Sequence, residues 1–239
     1  MSAPLTQPEA YCSDLARRGD EDRWLAASYA PSPLRTALYA LCAFRLELRR
    51  IPAAVSEPAL GEIRLQWWRD ALEEIRAGKP PRAHPVVEAL ASSNIDATQA
   101  LQGLDGAIDA AARPLYGEPF ESATAVLDWL KALDGAFDAF AASHAGGDNA
   151  LTEAAGRAGA AFALAREGKA LAPKLIDELI DTVLAQHREA APVLEAGSSG
   201  VSPAFLHCAL TPLYLRLGAG RFPIRKRLRL FSAMAFARF

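Results

Sequence analysis

Carboxylates four residues apart recur three times in this chain, as Asp105/Asp109, Asp134/Asp138 and Asp177/Asp181. On a helix that spacing puts both side chains on one face, where two acids can share a divalent cation. It also arises readily in any acidic helix, where an exposed pair simply solvates the surface, and that is the expectation for each. The four histidines, His84, His144, His187 and His207, form no i, i+4 pair and no H-E-x-x-H run, which leaves a helix-borne metal site without support. They are expected as surface or core residues. The three cysteines, Cys12, Cys42 and Cys208, stand far apart with no C-x-x-C pair, which argues against a disulfide framework and a zinc site and fits a reducing compartment. No G-x-S-x-G, G-x-x-x-x-G-K-[ST] or G-x-G-x-x-G occurs, which removes the commonest signals of a serine hydrolase, a P-loop NTPase and a Rossmann enzyme.

The elements that must carry these residues read as helices. A chain of 239 residues, 51% hydrophobic and 23% charged, has material for one sizeable core, and a single domain is the simplest expectation. A formal net charge of -2 argues against nucleic acid as a partner. The opening residues show no basic n-region followed by an apolar stretch, and no run of eighteen apolar residues follows, so the expected location is cytoplasmic or peripheral on the inner face of a membrane. Residues 1–19 are expected to be loosely ordered. Ser32-Pro33 starts a helix that Pro52 ends, and Ser56-Glu57-Pro58 starts a second, whose Leu60, Ile63, Trp67, Ala71 and Ile75 recur at helical spacing up to Gly78. Further helices are predicted over 85–93, 97–112, 120–143, 151–167, 173–195, 202–217 and 224–238, with 146–149 and 196–203 as turns. Strand alternation and internal repeats are absent from the pattern.

The segment Ala40-Leu41-Cys42-Ala43-Phe44, followed by Val55-Ser56-Glu57-Pro58-Ala59-Leu60-Gly61-Glu62-Ile63-Arg64-Leu65-Gln66-Trp67-Trp68, resembles squalene/phytoene synthases. The branch it is most similar to includes the phytoene-synthase-like assembly factor of mitochondrial respiratory complex I. Asp20–Ala27 looks like the family's opening segment, Leu104–Asp109 like its D-G-x-x-x-D helix, and Ala154–Ala170 like its second signature region. The resemblance covers roughly residues 20–217 and implies an all-α, isoprenoid-synthase-like helical bundle.

Departures from the family pattern bear on function. Active members carry two aspartate-rich motifs on facing helices that clamp magnesium on prenyl diphosphates. Here the first motif falls on Arg49, Arg50 and Ala53, or, in a register shifted by three, on Leu46, Glu47 and Arg50. At the second, the Gly156-Arg157-Ala158 match leaves Glu167 as the one acid, after Arg166, with Leu171 in the second aspartate's place. Magnesium demands hard oxygen ligands, and arginine supplies none, so an open site here would favour an anion. A rewired cation site would have to draw on Glu47, Glu167, Asp105 and Asp109, with Arg45 and Arg166 as basic binding candidates beside them.

Trp67 and Trp68 are expected mainly as core, with a lipid or partner groove as the other reading. Arg49 and Arg50 could hold a phosphate or a partner's carboxylate, or equally pair with Glu47 or Glu62. The basic run containing Arg225, Lys226, Arg227 and Arg229 suits a helix on an anionic membrane surface. Ile224, Leu228 and Phe231, however, fit a core-facing stripe of an ordinary packed helix, which is the expectation. The resemblance thus implies a non-catalytic member that binds a protein partner, lipid or isoprenoid, as in respiratory complex assembly, and needs no cofactor. The alternative is a prenyltransferase joining two isoprenoid diphosphates head to head with Mg²⁺. A binder of lipid in an inherited apolar tunnel is the third reading.

Overall fold

Prolines and short polar residues punctuate the chain, and helices begin where they stand. The computed structural model describes residues 5–93, 102–197, 200–218 and 223–239, and among these every regular element is helical. The contacts divide the chain into two compact units, Met1–Glu118 and Pro119–Phe239.

The first unit holds α1 (Gln7–Gly19), α2 (Glu21–Ser28), α3 (Ser32–Arg50), α4 (Pro58–Arg76), α5 (Pro85–Ser92) and α6 (Gln102–Ala112). Helix α3 starts one residue earlier than Ser32 capping would require, with Pro31 at the N-cap, and Pro52 opens a short 3₁₀ turn after it ends. Positions 97–101 of the predicted 97–112 helix lie outside the described residues.

Residues 7–19, expected to be loose, instead form α1. The Glu9 carboxylate accepts from the Thr6 N–H at 2.7 Å, the T-x-x-E capping signature that the sequence displays. Cys12, Leu15 and Ala16 bury one face of α1, which packs on α3 and α5. Burial pushes the Cys12 thiol up to about 12, with Cys42 the next contributor.

Between α1 and α2 sits Asp20, only 3% exposed. Its Oδ2 accepts from Arg23 Nη1 at 3.0 Å and from Arg45 Nη2 on α3, and its Oδ1 accepts the Arg23 N–H at 3.4 Å as the cap of α2. Arg45 is 1% exposed and is the largest fully buried side chain among the described residues. Three elements therefore meet on one carboxylate.

The second unit holds α7 (Ala123–Leu130), a π-helical turn (Lys131–Gly135), α8 (Ala136–His144), α9 (Asn149–Leu171), α10 (Ile176–Ala196), α11 (Thr211–Leu217) and α12 (Pro223–Phe236). Helix α9 is the axis: it packs on α7, the π turn, α8, α10 and α11. Its middle is built of Ala and Gly, which lets neighbours approach closely. A Cβ on Gly135 would fall 2.5 Å from the Gly156 carbonyl oxygen, so the π turn and α9 touch backbone to backbone. The predicted 202–217 helix is instead two 3₁₀ segments, Ser202–Ala204 and Leu206–Leu210, before α11. Pro212 has no N–H to give the Cys208 carbonyl, which interrupts the i to i−4 ladder of the predicted helix, and the whole stretch 201–211 is buried.

Removing the Asp20 carboxylate leaves two buried guanidinium groups without it. Asp20→Ala is expected to cost about 3–5 kcal/mol in urea denaturation. The exposed Asp14, paired with Arg17 and Arg18, should cost less than about 1 kcal/mol when changed to Ala.

Candidate functional site

In the first unit, the end of α3 and the Trp pair of α4 enclose a cavity of about 370 Å³. Glu47 and Arg50 come from α3, Arg64, Trp67 and Trp68 from α4, and His84 from the cap of α5. The two tryptophans divide the roles that the sequence left open. Trp68 is buried against Phe44, ring centroids 4.8 Å apart, while half-buried Trp67 stands edge-on to it at 5.1 Å. His84 packs edge-on to both rings, and its Nδ1 accepts the Val86 N–H at 3.3 Å. An accepting Nδ1 puts the proton of the neutral ring on Nε2.

Arg82 fastens this wall from outside. Its guanidinium lies over Trp67, 5.2 Å from the ring centroid, donates to the Trp67 carbonyl at 3.2 Å, and forks onto Glu74 at 2.7 and 3.0 Å. The bond from Arg82 holds the Glu74 carboxyl below its usual range. The close fit continues beneath α4, where a Cβ on Gly61 would meet Leu115 at 2.3 Å. That explains a glycine inside the most family-like stretch of the sequence.

The acids expected near a rewired site are each held by an arginine. Glu47 accepts from Arg50 at 3.4 Å, Asp105 from Arg76 at 2.8 Å and Asp109 from Arg69 at 2.5 Å, the last two linking α6 to α4. In the second unit Glu167 accepts from Arg166 at 2.8 Å, and the Arg166 guanidinium also lies over the Phe162 ring. Arg45 is withdrawn into the Asp20 cluster. Arg49 is half-buried, Arg50 and Ala53 are exposed, and Leu171 packs against the core of its unit. Arg166 and Lys169 also line a cavity of about 450 Å³ walled by Leu164, Leu179, Val183 and Tyr214.

The three carboxylate pairs have three fates. Asp177 and Asp181 are exposed on α10, as a solvated face requires, and Asp105 and Asp109 answer arginines. Asp134 and Asp138 are buried, against expectation. Asp138 lies against α9 so tightly that a Cβ on Gly159 would fall 1.9 Å from its Oδ2. Its Oδ1 is 3.2 Å from His207 Nε2, and Cys208 Sγ is 3.6 Å from the same nitrogen. Among the described residues this is the one group of three or more potential metal ligands that converges. Sequence spacing could not reveal it, because the acid and the His-Cys dipeptide are far apart in the chain.

Thiol, imidazole and carboxylate would suit zinc by donor type, yet a structural zinc site closes with four ligands and this group offers three. Nor is it a nucleophilic relay, which needs thiol and carboxylate on opposite ring nitrogens; both approach Nε2 here. With all three residues buried and Phe162 edge-on to the imidazole at 4.9 Å, the group is a polar tie inside the core.

On α12 the basic residues separate. Arg225 and Arg227 are exposed, whereas Lys226 is buried over the Tyr214 ring at 5.4 Å and Arg229 Nε donates to the Ala209 carbonyl at 3.0 Å. The stripe expected to face the core does not: Ile224, Leu228 and Phe231 are all exposed. Leu230 and Ala233 are the apolar residues that α12 buries.

Residues 16–167 match the protein-family model described as squalene/phytoene synthase. The human NADH dehydrogenase (ubiquinone) complex I, assembly factor 6, is 33% identical over 78 residues, which is 33% of this chain and 23% of that protein. The bovine counterpart is 32% identical over 80 residues, 34% of this chain and 24% of that one. The match thus spans about a quarter of the length of these relatives. A dehydrosqualene synthase crystallised in complex with ligand superposes with a TM-score of 0.69 over 96% of this chain and 95% of its own, at 13% identity, a likeness of fold.

The buried state of every cysteine sets an expectation. Ellman's reagent should label none of the three thiols in the native protein and all three in urea. Rapid native labelling of Cys208 would show the polar tie to be open to solvent.

Proposed function

The chain belongs to the squalene/phytoene synthase family, and we propose that it is a member without diphosphate-ionising chemistry, one that uses the fold to hold a partner protein or a lipid. One observation carries this reading. Each acid that could stand in for the family's missing aspartates, Glu47, Glu167, Asp105 and Asp109, is bonded to an arginine. Magnesium needs several free carboxylate or water oxygens in near-octahedral array. To ligate it, these acids would first have to give up their guanidinium partners, and the arginines left behind would repel the ion.

The residues at the first motif's positions point the same way. Arg50 lines the Trp67–Trp68 cavity together with Arg64, so the cations there outnumber the one acid, Glu47. Such a wall suits a group with an anionic end and an apolar or planar body, whether an acidic segment of a protein or an acidic lipid. The complex I assembly factors that match part of the chain support an assembly-type role on the protein side.

The test is direct. Purified protein incubated with farnesyl or geranylgeranyl diphosphate, Mg²⁺ or Mn²⁺ and NADPH should release no diphosphate and yield no extractable hydrocarbon. Metal-dependent turnover that disappears in Glu47→Gln and Glu167→Gln would overturn the reading and establish a head-to-head prenyltransferase with a new metal constellation.

A further inference from the structure

Helix α12 carries two apolar faces, and only one is used by the fold. At about 100° per residue, Lys226, Leu230 and Ala233 fall within about 60° of arc, and this is the buried side. Ile224, Leu228 and Phe231 fall within another arc of about 60°, roughly half a turn away. They are 73%, 62% and 60% exposed, and Phe236 at the helix end is 69% exposed. Four of the eleven large hydrophobic residues exposed among the described residues thus sit on this one helix of 14 residues. Of the other seven, Leu60 and Ile63 lie one turn apart on α4 and five stand singly on separate elements. Single exposed residues and a lone pair are ordinary, whereas a stripe of three over two turns with a fourth at the helix end is a contact surface.

The charges around the stripe say what it contacts. Arg225 lies about 100° to one side of Ile224 and Arg227 about 60° to the other, so an exposed guanidinium flanks the stripe on each edge. The helix contains no acidic residue at all. A protein groove would ordinarily set acids and bases against it in a specific pattern. A wholly cationic border around a narrow apolar ridge instead complements a surface that is uniformly anionic above and apolar below, which is a lipid leaflet. The geometry points to α12 as an in-plane docking helix for an anionic membrane surface: Ile224, Leu228 and Phe231 enter the headgroup–acyl boundary while Arg225 and Arg227 meet lipid phosphates. Lys226 over Tyr214 and Arg229 on the Ala209 carbonyl fasten the opposite side to the protein. Among the described residues no helix is long and apolar enough to cross a membrane, so this contact is peripheral. It stands whether or not the fold turns over a diphosphate.

Co-flotation of the full chain with vesicles tests it. Binding is expected to phosphatidylcholine vesicles containing about a third phosphatidylglycerol, to fall at high salt, and to be weak on phosphatidylcholine alone. Arg225→Gln with Arg227→Gln should weaken binding by about fivefold per arginine, and Leu228→Ser with Phe231→Ser by about tenfold or more. All four side chains are exposed, so these variants should keep the wild-type melting temperature, checked by circular dichroism. Arg17→Gln with Arg18→Gln on α1 makes the same change in net charge and should leave binding unaltered. Three results would overturn the inference: no flotation with anionic vesicles, equal loss in the α1 control, or lipid-free sedimentation showing a dimer that the Leu228→Ser, Phe231→Ser variant abolishes.

Discussion

One carboxylate organises the first unit. Asp20 ends α1, caps α2 and receives Arg45 from the middle of α3, all while shielded from water. Burying a charge is unfavourable unless hydrogen bonds and an opposite charge surround it, and here two guanidinium groups do so. The consequence is registry. An apolar contact between α1 and α3 would tolerate sliding, but a charge-assisted bond at a buried position admits one alignment. Arg45 stands two residues before Glu47 and five before Arg50, so the bond that fixes α3 also fixes the residues presented to the Trp67–Trp68 cavity.

Much of this was legible in the sequence. The prolines at 33, 52 and 58 and the helical spacing from Leu60 to Ile75 locate α3 and α4, because proline restricts backbone torsions wherever it stands. The E-P-x-L-G-x-I-R-L-Q-W-W run marks the element that walls the cavity. The Asp20–Arg45 bond was not legible, although both residues stood in plain view. Nothing in a charged residue's identity says that it will be buried. The same limit applied to the Asp-x-x-x-Asp pairs: identical spacing gave an arginine-paired face, a buried polar tie and a solvated face, since spacing fixes a helix face and tertiary packing decides what that face meets.

Helix α12 shows the limit from the apolar side. Ile224, Leu228 and Phe231 have the spacing of a core stripe, and Lys226 the chemistry of an outward residue, yet the two are exchanged. A helix with apolar residues on two faces has two ways to pack, and its own sequence does not choose between them. The choice came from what lies opposite. The 3₁₀ segment Leu206–Leu210 offers the Ala209 carbonyl to Arg229, and α11 offers the Tyr214 ring to Lys226. The stem of a lysine packs on aromatic surface as readily as an aliphatic side chain does.

That 3₁₀ segment connects the interior of the second unit to its outward helix. His207 and Cys208 face Asp138 in the core, while the next residue, Ala209, anchors α12 by its carbonyl. A regular α-helix would commit the Ala209 carbonyl to the N–H four residues on; the 3₁₀ segment ending at Leu210, followed by Pro212, alters that pattern. A break in helical regularity is thus put to use twice, holding a buried imidazole on one side and orienting a cationic, apolar-ridged helix on the other. The arginines of the chain divide in the same way between inward and outward roles. Most are turned onto acids or carbonyls of the protein itself, and Arg225 and Arg227, left outward on α12, border its exposed apolar stripe.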